Sequence, residues 1–505
     1  MQTEPSADAF AARYGHGEAQ VVWTSLVADL ETPVSAFLKI AGGRPMSFLF
    51  ESVEGGAVRG RYSIIGLDPD LVWRTEGARA EINRDARNKP AAFFPCPQPP
   101  LESLRALIAE SRIALPEGLP PMAAGVFGYL GYDTVRLMEE LPASHPDPIG
   151  IPDAVLVRPT LVVVFDAVKD SIIVVTPVRP EPGVTAKAAL SRAQERLAGV
   201  VDALDRPLDK ASAGIEAGPL DIPPKSNTAP DEYRAMVQKA KDYILAGDIF
   251  QVVLSQRFEA PFTLPPFALY RALRRVNPAP FLYFLDFGRY AVAGSSPEIL
   301  VGVRDRTVTI RPIAGTRPRG ETTQHDKAME EQLLADPKER AEHLMLLDLG
   351  RNDVGRVARI GTVEVTDRFF VERYSHVMHI VSNVEGSLAD GKDALDALAA
   401  GFPAGTVSGA PKVRAMQIID ELEKEKRGLY AGCVGYFSAA GEMDSCIVLR
   451  TALIKDGTMY VQAGAGIVAD SDPASEQAEC VNKAKALFRA AEEARRFASA
   501  AKRGQ

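Results

Sequence analysis

Apolar residues recur at helical spacing behind two acidic residues that lie far apart in the chain. Glu342 is followed by one helical stripe, made of Met345, Leu346 and Leu349. Glu476 is followed by a second stripe, made of Cys480, Ala484, Leu487 and Ala491. These patterns predict a helix over residues 338–350 and another from Pro473 onward, each with a carboxylate facing its apolar side.

Such carboxylates need partners, because an unpaired charge that faces an apolar core is costly. Acids from two helices would suit one hard cation such as Mg2+, which takes oxygen ligands and leaves positions for a substrate. Glu479 and Lys483, however, lie one turn apart on the edge of the second stripe, so ordinary ion pairs explain the same pattern. Periodicity alone leaves both interpretations open.

Strand-like runs dominate the first half of the chain, and strands mix with helices in the second. Strands are predicted at residues 46–52, 61–66, 155–157, 161–165, 171–175, 249–254, 281–287, 290–293, 299–303, 307–313, 376–384, 431–437, 444–454 and 458–463. Further helices are predicted from Pro230 to a C-cap at Gly247, and over 392–400 and 411–426. Helices and strands do not alternate strictly, which indicates an α+β fold of antiparallel sheets packed with helices.

The 505 residues suffice for more than one hydrophobic core. A stretch rich in Pro, Gly and Ala predicts a linker at 216–229. It would separate an N-terminal region, 1–215, from a region with more chemically reactive residues, 230–490, and a tail would follow at 491–505.

Composition narrows the function classes. Apolar residues make up 46% of the chain and charged residues 25%, which is typical of globular proteins. The net charge of −8 argues against general binding to nucleic acid or to anionic membranes. No apolar run is long enough to span a bilayer, the first residues lack a signal-peptide pattern, and the four cysteines form no CxxC pair. We therefore expect a protein of the reducing cytoplasm.

Two glycine-rich segments match nucleotide-binding loops only in part. Residues 464–469 fit G-x-G-x-x-A, but too little chain follows for a βαβ unit, so nicotinamide and flavin binding are rejected. A turn there would offer backbone N–H groups to an anion, or would be a plain tight turn. Residues 405–412 lack the spacing of a phosphate loop, although Thr406 and Ser408 at a helix start would suit a carboxylate.

Two side chains stand out within predicted strands. Arg450 has the same parity as Cys446 and Val448, which predicts a guanidinium on an apolar face that meets either a ligand anion or a structural acid. His379 lies in an apolar run, where a lone His is more often a core residue than a catalyst. Together with the acids, these residues suit a polyanionic small molecule held partly through Mg2+.

Five ordered motifs within 230–490 resemble the chorismate-utilising enzymes. They are the runs PIAGTR at 312–317, AEH at 341–343, DLGRND at 348–353, PAGTVSGAPK at 403–412 and GAG at 464–466. Within this family the chain is most similar to the large subunits of anthranilate synthases. Relatives that form para-aminobenzoate carry a nucleophilic Lys where this chain has Ala314, and relatives that form isochorismate or salicylate carry a basic Lys where it has Gln251. The resemblance therefore implies that ammonia is the nucleophile.

The resemblance also implies roles for individual residues. Glu342 and Glu479, with Glu476 nearby, would bind the Mg2+ that holds the ring carboxylate of chorismate. The substrate pocket would be completed by the backbone of Gly464, Ala465 and Gly466, by Lys483, Tyr430 and Arg450, and by Gly315, Thr316 and Thr406. His379 would assist departure of the C4 hydroxyl, and Glu298 would remove the C2 proton as pyruvate leaves.

Regulation and a partner follow from the same resemblance. Glu51 and Ser52 resemble part of the tryptophan feedback site of anthranilate synthases, with Pro280, Phe281 and Leu282 as the opposing segment. A separate glutamine amidotransferase subunit would deliver ammonia, because no amidotransferase segment is recognisable in this chain. The alternatives are an aminodeoxychorismate synthase component and a non-catalytic subunit that senses tryptophan.

Overall fold

The computed structural model describes residues 1–54, 58–142, 145–208, 223–374 and 377–497. Residues 216–222 of the predicted linker, the first residue of the strand predicted at 376–384 and residues 498–505 of the predicted tail lie outside them. Within the described residues the fold is α+β with antiparallel sheets, which confirms the predicted class.

Local sequence explains where several helices begin and end. The α-helices are α1 Ala7–Gly15, α2 Pro33–Ile40, α3 Pro100–Glu110, α4 Ala186–Leu204, α5 Pro230–Leu245, α6 Pro266–Val276, α7 Thr323–Ala335, α8 Pro337–Gly355, α9 Ala394–Gly401, α10 Gly405–Ser408, α11 Lys412–Leu422 and α12 Pro473–Ala494. Asp336 and Asp472 cap α8 and α12 by accepting backbone hydrogen bonds, and a Pro follows each cap. After α5 comes Gly247, whose φ of +83° is the left-handed conformation that ends a helix. None of the described helices has the length and apolar character needed to cross a membrane.

Each predicted strand lies in or overlaps a strand of the structure. The strands are β1 Gln20–Val27, β2 Ser47–Glu54, β3 Val58–Glu76, β4 Arg79–Asn83, β5 Phe94–Pro95, β6 Gly125–Leu130, β7 Ala154–Asp166, β8 Ser171–Val178, β9 Lys225–Ser226, β10 Gln251–Pro261, β11 Phe281–Asp286, β12 Tyr290–Ser296, β13 Ile299–Arg304, β14 Thr307–Ile310, β15 Ile313–Pro318, β16 Glu364–Arg373, β17 Val377–Ser387, β18 Gly409–Ala410, β19 Cys433–Ser438, β20 Met443–Ile447, β21 Thr451–Lys455 and β22 Thr458–Ile467. Of these, β1, β4, β5, β6, β9, β16 and β18 are strands that were not predicted. The runs predicted as single strands at 307–313 and 444–454 are each two strands, whereas the runs at 155–157 and 161–165 form one strand, β7.

Strands β3 and β7 form a spine from which two branches of sheet diverge. They pair from Tyr62 with Asp166 to Thr75 with Ala154. At the Asp166 end, β7 also pairs with β8 and β3 with β2. At the Ala154 end, β7 pairs with β6 and β3 with β4. Because each spine strand changes neighbours along its length, both branches share it.

The first branch runs β1–β8–β7–β3–β2–β11–β12–β21–β22–β10. The second runs β4–β3–β7–β6–β19–β20–β13–β14–β17, with β15 and β16 also paired to β17. Every pairing between named strands of the described chain is antiparallel.

Alternation along β7 shows how the branches are stacked. Leu161 and Val163 enter a core covered by α1, α2, α4, α6 and α12, whereas Val162 and Val164 enter a core shared by both branches. At the other end Leu156 enters a third core, beneath α3, α5, α9 and α11. The branches therefore pack face to face with helices outside each, as four layers.

The two predicted regions are interleaved in this sandwich. Strand β2 pairs with β11, and β6 pairs with β19, so the sheets cross the linker predicted at 216–229. The domain limits stay a prediction. Helix α12 continues past residue 490 and buries Ala491 and Ala494, so the predicted tail begins as packed helix.

Candidate active site

Helix α8 carries the first predicted metal ligand on the edge of its buried face. His343 and Leu346 are buried, whereas Glu342 is half-buried, so the stripe predicted behind Glu342 is rotated by one position. Burial raises the pKa of the Glu342 carboxyl, and the negative charges of Glu339 and Glu479 raise it further. Glu342 of α8 and Glu479 of α12 therefore lie within electrostatic reach of each other.

Helix α12 places its two acids in different surroundings. Glu476 is half-buried beside the buried Gln477, and burial raises its pKa while a hydrogen bond with Ser471 opposes the rise. The charge of Glu479 also raises the pKa of Glu476. Glu479 itself is 49% exposed and forms an ion pair of 2.7 Å with Lys483. The ion pair between Glu479 and Lys483 that was one interpretation of this helical edge is thus formed. Glu479 also repels the neighbouring Glu476.

This donor set fits an open magnesium site. The charge of Glu479 raises the pKa values of Glu342 and Glu476, and a divalent cation between such acids would stabilise their charged forms. Among the residues that the structure describes, no group of three or more His, Cys, Asp and Glu side chains is arranged to hold a metal by itself. Mg2+ is often held by one or two carboxylates and keeps waters and substrate oxygens as its other ligands. A ligand would therefore have to complete the coordination.

A cavity of about 680 Å3 opens beside α12. Its lining residues are Asn277, Arg450, Ser475, Ala478, Glu479, Asn482, Lys483 and Ala486. An acid of the predicted metal site thus faces the same space as two cations of the predicted substrate site. The volume suits a small organic ligand.

Arg450 reaches this cavity by a backbone geometry that the sequence does not show. The predicted continuous strand is broken between β20 and β21, and Arg450 lies in the break with a φ of +47°. The prediction that Arg450 shares a strand face with Cys446 and Val448 was therefore wrong, because side chains alternate between two faces only within one strand. The backbone N–H of Ser295 in β12 donates to the Arg450 carbonyl at 3.2 Å and holds the bend.

The guanidinium of Arg450 has no acidic partner among the described residues. Burial alone lowers its pKa. A largely buried cation without a counter-ion, facing a cavity, is the signature of a site for an anionic ligand.

His379 is held at the edge of the same region by β15. Its Nδ1 lies 2.9 Å from the Gly315 carbonyl oxygen and 3.1 Å from Thr316 Oγ1. Since a carbonyl can only accept, Nδ1 carries the hydrogen and Nε2 is left for other partners. Burial lowers the pKa of His379, and the positive charge of Arg450 lowers it further, against the Gly315 carbonyl. Gly315 has a φ of +69°, a conformation that favours glycine.

Glu298 is a buried carboxyl beside Thr406. Burial raises the pKa of Glu298 to about 8, and the Thr406 hydroxyl and the Ile313 backbone oppose the rise. Thr406 Oγ1 is itself buried without a hydrogen-bond partner of full geometry. The hydroxyl of Ser408, in contrast, donates to the Ala404 carbonyl at 2.8 Å, so it is not available to the ligand carboxylate predicted for it. A carboxyl that is neutral near pH 7 and ionises close to pH 8 is suited to proton transfer.

Strand β22 contains the glycine motif, which is therefore not the turn that the sequence predicted. Gly464, Ala465 and Gly466 pair with β10, while the pairing of β22 with β21 reaches only Val461. Lys483 donates from Nζ to the Gly464 carbonyl at 2.9 Å. These backbone groups therefore lie directly beside α12.

The missing Cβ atoms of the motif make room for two predicted site residues. A Cβ on Gly464 would lie 2.8 Å from the Tyr430 hydroxyl, and one on Gly466 would lie 2.5 Å from Nε2 of Gln251. Gln251 is buried, and its Oε1 has no hydrogen-bond partner in the described structure. The two glycines thus allow Tyr430 and Gln251 to approach the strand closely.

The residues predicted for tryptophan binding meet across two neighbouring strands. Ser52 of β2 pairs with Phe281 of β11, and Glu51 pairs with Leu282. Pro280 directly precedes β11. Segments that are distant in sequence therefore lie side by side in one sheet, where Glu51 and Leu282 are buried; their role in binding tryptophan stays a prediction.

Glu51 already has strong partners there. Arg274 donates to both carboxylate oxygens of Glu51, at 2.9 and 3.1 Å, and the Tyr270 hydroxyl donates to Oε2. The Ser52 hydroxyl donates to the Tyr62 carbonyl at 3.1 Å. The carboxylate is thus fully engaged within the protein.

Asn277 is a cavity residue to which the sequence assigned no role in the active site. Its Nδ2 is buried without a hydrogen-bond partner among the described residues, and it lines the cavity together with Arg450. Ser295 donates from Oγ to its carbonyl. The only local signal is its position between α6 and Pro278, which indicates a turn and not a binding role.

The comparisons with known proteins confirm the family resemblance found in the sequence. Residues 62–489 match the family model described as chorismate binding enzyme. The chain is 59% identical to anthranilate synthase component 1 of Cereibacter sphaeroides over 99% of this chain and 100% of that protein. The crystal structure of anthranilate synthase component I from Streptococcus pneumoniae TIGR4 is 38% identical, with a TM-score of 0.75, over 92% of this chain and 99% of that one. The menaquinone-specific isochorismate synthase of Escherichia coli shares the fold at 20% identity and a TM-score of 0.68, over 96% of this chain and 100% of that one.

Proposed function

The chain belongs to the family of chorismate binding enzymes, in its anthranilate synthase component 1 branch, and on that premise we propose that it converts chorismate and ammonia to anthranilate and pyruvate. The observation that carries this proposal is the cavity where Arg450, without an acidic partner, faces Glu479 and Lys483. A dianionic ring substrate needs both a cation for one carboxylate and a metal for the other.

Substrate orientation is proposed to come from the two carboxylates of chorismate. Arg450 and Tyr430 hold the enolpyruvyl carboxylate, while Lys483 and the backbone of β22 lie at the ring carboxylate. Gly315, Thr316 and Thr406 line the ring. Fixing both ends of a flat molecule removes most of its rotational freedom before the reaction.

Magnesium is proposed to be held by Glu342 and Glu479, with Glu476 beside them. When bound, Mg2+ supplies positive charge that fixes the ring carboxylate and stabilises charge on it. The raised pKa values of Glu342 and Glu476 support this assignment, because burial and the charge of Glu479 disfavour both carboxylates, although Lys338 and Lys483 oppose the rise.

Two neutral residues support ammonia as the nucleophile. Gln251 has an amide that cannot deprotonate water, and Ala314 offers no nucleophilic atom. Ammonia has a free lone pair and needs no base. Its nitrogen bonds to C2 of the ring, the double-bond electrons shift, and the C4–O bond breaks. The ammonium group formed on C2 then releases one proton to solvent to give the amine.

His379 and Glu298 are proposed to move the protons. Because Nδ1 of His379 donates to the Gly315 carbonyl, Nε2 carries a proton only in the imidazolium form of the ring. In that form Nε2 passes its proton to the departing C4 hydroxyl, which leaves as water. Glu298 then takes the C2 proton, the bond from C3 to the enolpyruvyl oxygen breaks, and the ring becomes aromatic. The released enolate takes up a proton to give pyruvate.

Feedback by L-tryptophan is proposed to act at Glu51, Ser52 and the segment from Pro280 to Leu282. Strand β11 pairs on its other side with β12, which ends at Ser296, two residues before Glu298. A ligand that shifts β2 against β11 therefore reaches the catalytic base through one further strand. Such coupling is typically worth about 1–3 kcal/mol.

A glutamine amidotransferase subunit is the proposed source of ammonia in the complete enzyme. The purified chain with chorismate, Mg2+ and ammonium salt should form anthranilate, followed by its fluorescence, with one pyruvate released for each anthranilate. With glutamine in place of ammonium, the chain alone should form neither product.

Different products would overturn the proposal in different ways. A non-aromatic para-amino product without pyruvate would identify an aminodeoxychorismate synthase component. Tryptophan binding without any turnover of chorismate would identify a sensing subunit.

A further inference from the structure

A second cavity, of about 210 Å3, lies in the N-terminal region between the sheet and α4. It has no residue in common with the cavity of about 680 Å3. Five arginines are among its lining residues: Arg84, Arg87, Arg179, Arg192 and Arg196. They come from the segment after β4, from the end of β8 and from one face of α4, so the fold gathers them from three places.

Two of these arginines are buried with unsatisfied donors. Nε of Arg179 and Nε of Arg196 are buried without a hydrogen-bond partner among the described residues. Arg179 makes one hydrogen bond, to the Ser111 carbonyl at 3.3 Å. Burial lowers the pKa of both guanidinium groups, to about 10 for Arg179, and the neighbouring positive charges of Arg158 and Arg87 lower them further. Asp70 raises both pKa values, as do Glu110 for Arg179 and Glu181 for Arg196, but burial outweighs these acids.

The acids of this region already have partners within the protein. Asp70 is held by Arg158 through two hydrogen bonds of 2.8 and 3.0 Å, and Glu110 is held by Arg84 at 2.8 and 2.9 Å. Asp85 accepts a hydrogen bond from Asn88 at 2.6 Å. Glu181 forms only a long ion pair with Arg192, at 3.8 Å.

Counting the lining residues, five arginines face three acids, Asp70, Asp85 and Glu181. The remaining positive charge is concentrated on Arg87, Arg179 and Arg196. Arg87 is exposed at the rim and has no ion pair or hydrogen bond within the described structure. An anion in this cavity would meet three guanidinium groups at once.

We propose that this cavity is a binding site for a phosphate group, carried either by inorganic phosphate or by a small phosphate monoester. Guanidinium forks match the paired oxygens of a phosphate dianion, and several such donors converging in a partly buried space form the usual arrangement for that ligand. Arg179 and Arg196 donate to the phosphate from the buried side of the cavity, and Arg87 donates to it from the exposed rim. The site is independent of chorismate turnover.

The test is calorimetric titration of the full chain with inorganic phosphate and with glycerol 3-phosphate, at constant ionic strength set with chloride and without chorismate or magnesium. Saturable binding of one equivalent is expected. Tighter binding of glycerol 3-phosphate than of phosphate identifies an ester site, and equal or weaker binding identifies a site for the free anion. A response no larger than that of chloride overturns the proposal.

Three variants locate the site. Arg196→Gln and Arg179→Gln should each weaken phosphate binding about tenfold or more, because a charge-assisted donor is lost. Arg87→Gln, in an exposed segment where folding is not at stake, should weaken it by a smaller factor and leave anthranilate formation unchanged. Arg234→Gln, at an exposed arginine of α5 paired with Asp231, is the matched control and should bind as the wild type does. If Arg87→Gln and Arg196→Gln each bound phosphate with wild-type affinity, the anion would bind elsewhere and the assignment would be refuted.

Discussion

The catalytic cavity and the surface between β2 and β11 handle charge in opposite ways. In the cavity, Arg450 is largely buried and has no acidic partner within the described part of the chain. Between β2 and β11, Glu51 is buried and both of its oxygens are bound by Arg274, with Tyr270 as a further donor. Arg450 is preorganised for a ligand that supplies a negative charge. At Glu51, in contrast, a ligand must first displace Arg274 before it can bind the carboxylate.

This difference has a consequence for affinity and for control. A carboxylate that binds Arg450 displaces no acid from it, whereas the ion pair of 2.7 Å between Glu479 and Lys483 in the same cavity must open before Glu479 can hold a metal. A ligand amine at Glu51 competes with Arg274 on α6, and any movement of Arg274 changes the packing of that helix. The first arrangement favours tight substrate orientation, and the second favours coupling between sites.

The strongest test of the cavity is Glu342→Gln. Loss of one metal-binding charge should lower magnesium-dependent turnover at least about 100-fold. The measurement is anthranilate formation over a magnesium titration. Asp348→Asn, at an exposed acid of the same helix, should retain wild-type turnover, and equal loss in both variants would point to the helix fold and not to the metal.

His379→Ala should lower kcat about 100-fold, because the proton for the departing hydroxyl is lost. The KM for chorismate should change little. Steady-state kinetics with ammonium as the nitrogen source separates the two constants. A rise in KM with unchanged kcat would make His379 a structural residue.

Arg450→Lys should raise the KM for chorismate about 30-fold, since a guanidinium fork is replaced by a single ammonium donor. The same variant keeps the positive charge, so it separates geometry from charge. Arg306→Lys, at a surface arginine bonded only to backbone carbonyls of the described residues, is the control. Identical KM values for the wild type and Arg450→Lys would contradict the proposed carboxylate contact.

Glu298 predicts a pH dependence. Its pKa of about 8 is raised above the ordinary 4.5, so the carboxylate form needed for a base is lost as pH falls below about 8. In the free enzyme kcat/KM should rise about tenfold from pH 6 to pH 7 and level off above pH 8. Glu298→Gln should remove most activity at every pH and should abolish the rise of kcat/KM with pH. A rise that persists in that variant belongs to another group.

Ser52→Phe should weaken inhibition by tryptophan at least about fivefold and leave kcat within twofold of the wild type. A Phe at this position crowds the pairing with Phe281. The inhibition constant is measured with ammonium as substrate, and Ser191→Phe on the exposed face of α4 is the control. Unchanged inhibition would place the regulatory ligand elsewhere.

The sequence predicted those features that depend on local periodicity. Helix α5 begins at Pro230 and ends before Gly247 as expected, because caps act within one turn. The buried stripe on α8 begins one residue later than predicted, at His343 and not at Glu342. The helical repeat fixes the spacing of the buried residues, but packing against the neighbouring layer fixes which face of the helix is buried.

Features that depend on distant pairing could not be predicted from local patterns. The bend at Arg450 is held by Ser295, and an arginine at positive φ has no signature in the sequence. The Gly464–Gly466 segment looked like a turn because its pairing partner, β10, lies two hundred residues earlier. The pairing of Ser52 with Phe281 came from the resemblance to a family and not from residue patterns.

The pairings of β2 with β11 and of β6 with β19 mean that neither half of this protein can be excised as a working fragment. Cutting the chain at the predicted linker would strip β11 of β2 and β19 of β6, leaving long uncovered strand edges. Such edges recruit other chains. A truncated C-terminal half is therefore expected to aggregate on expression, and co-expression of both pieces should restore a soluble complex.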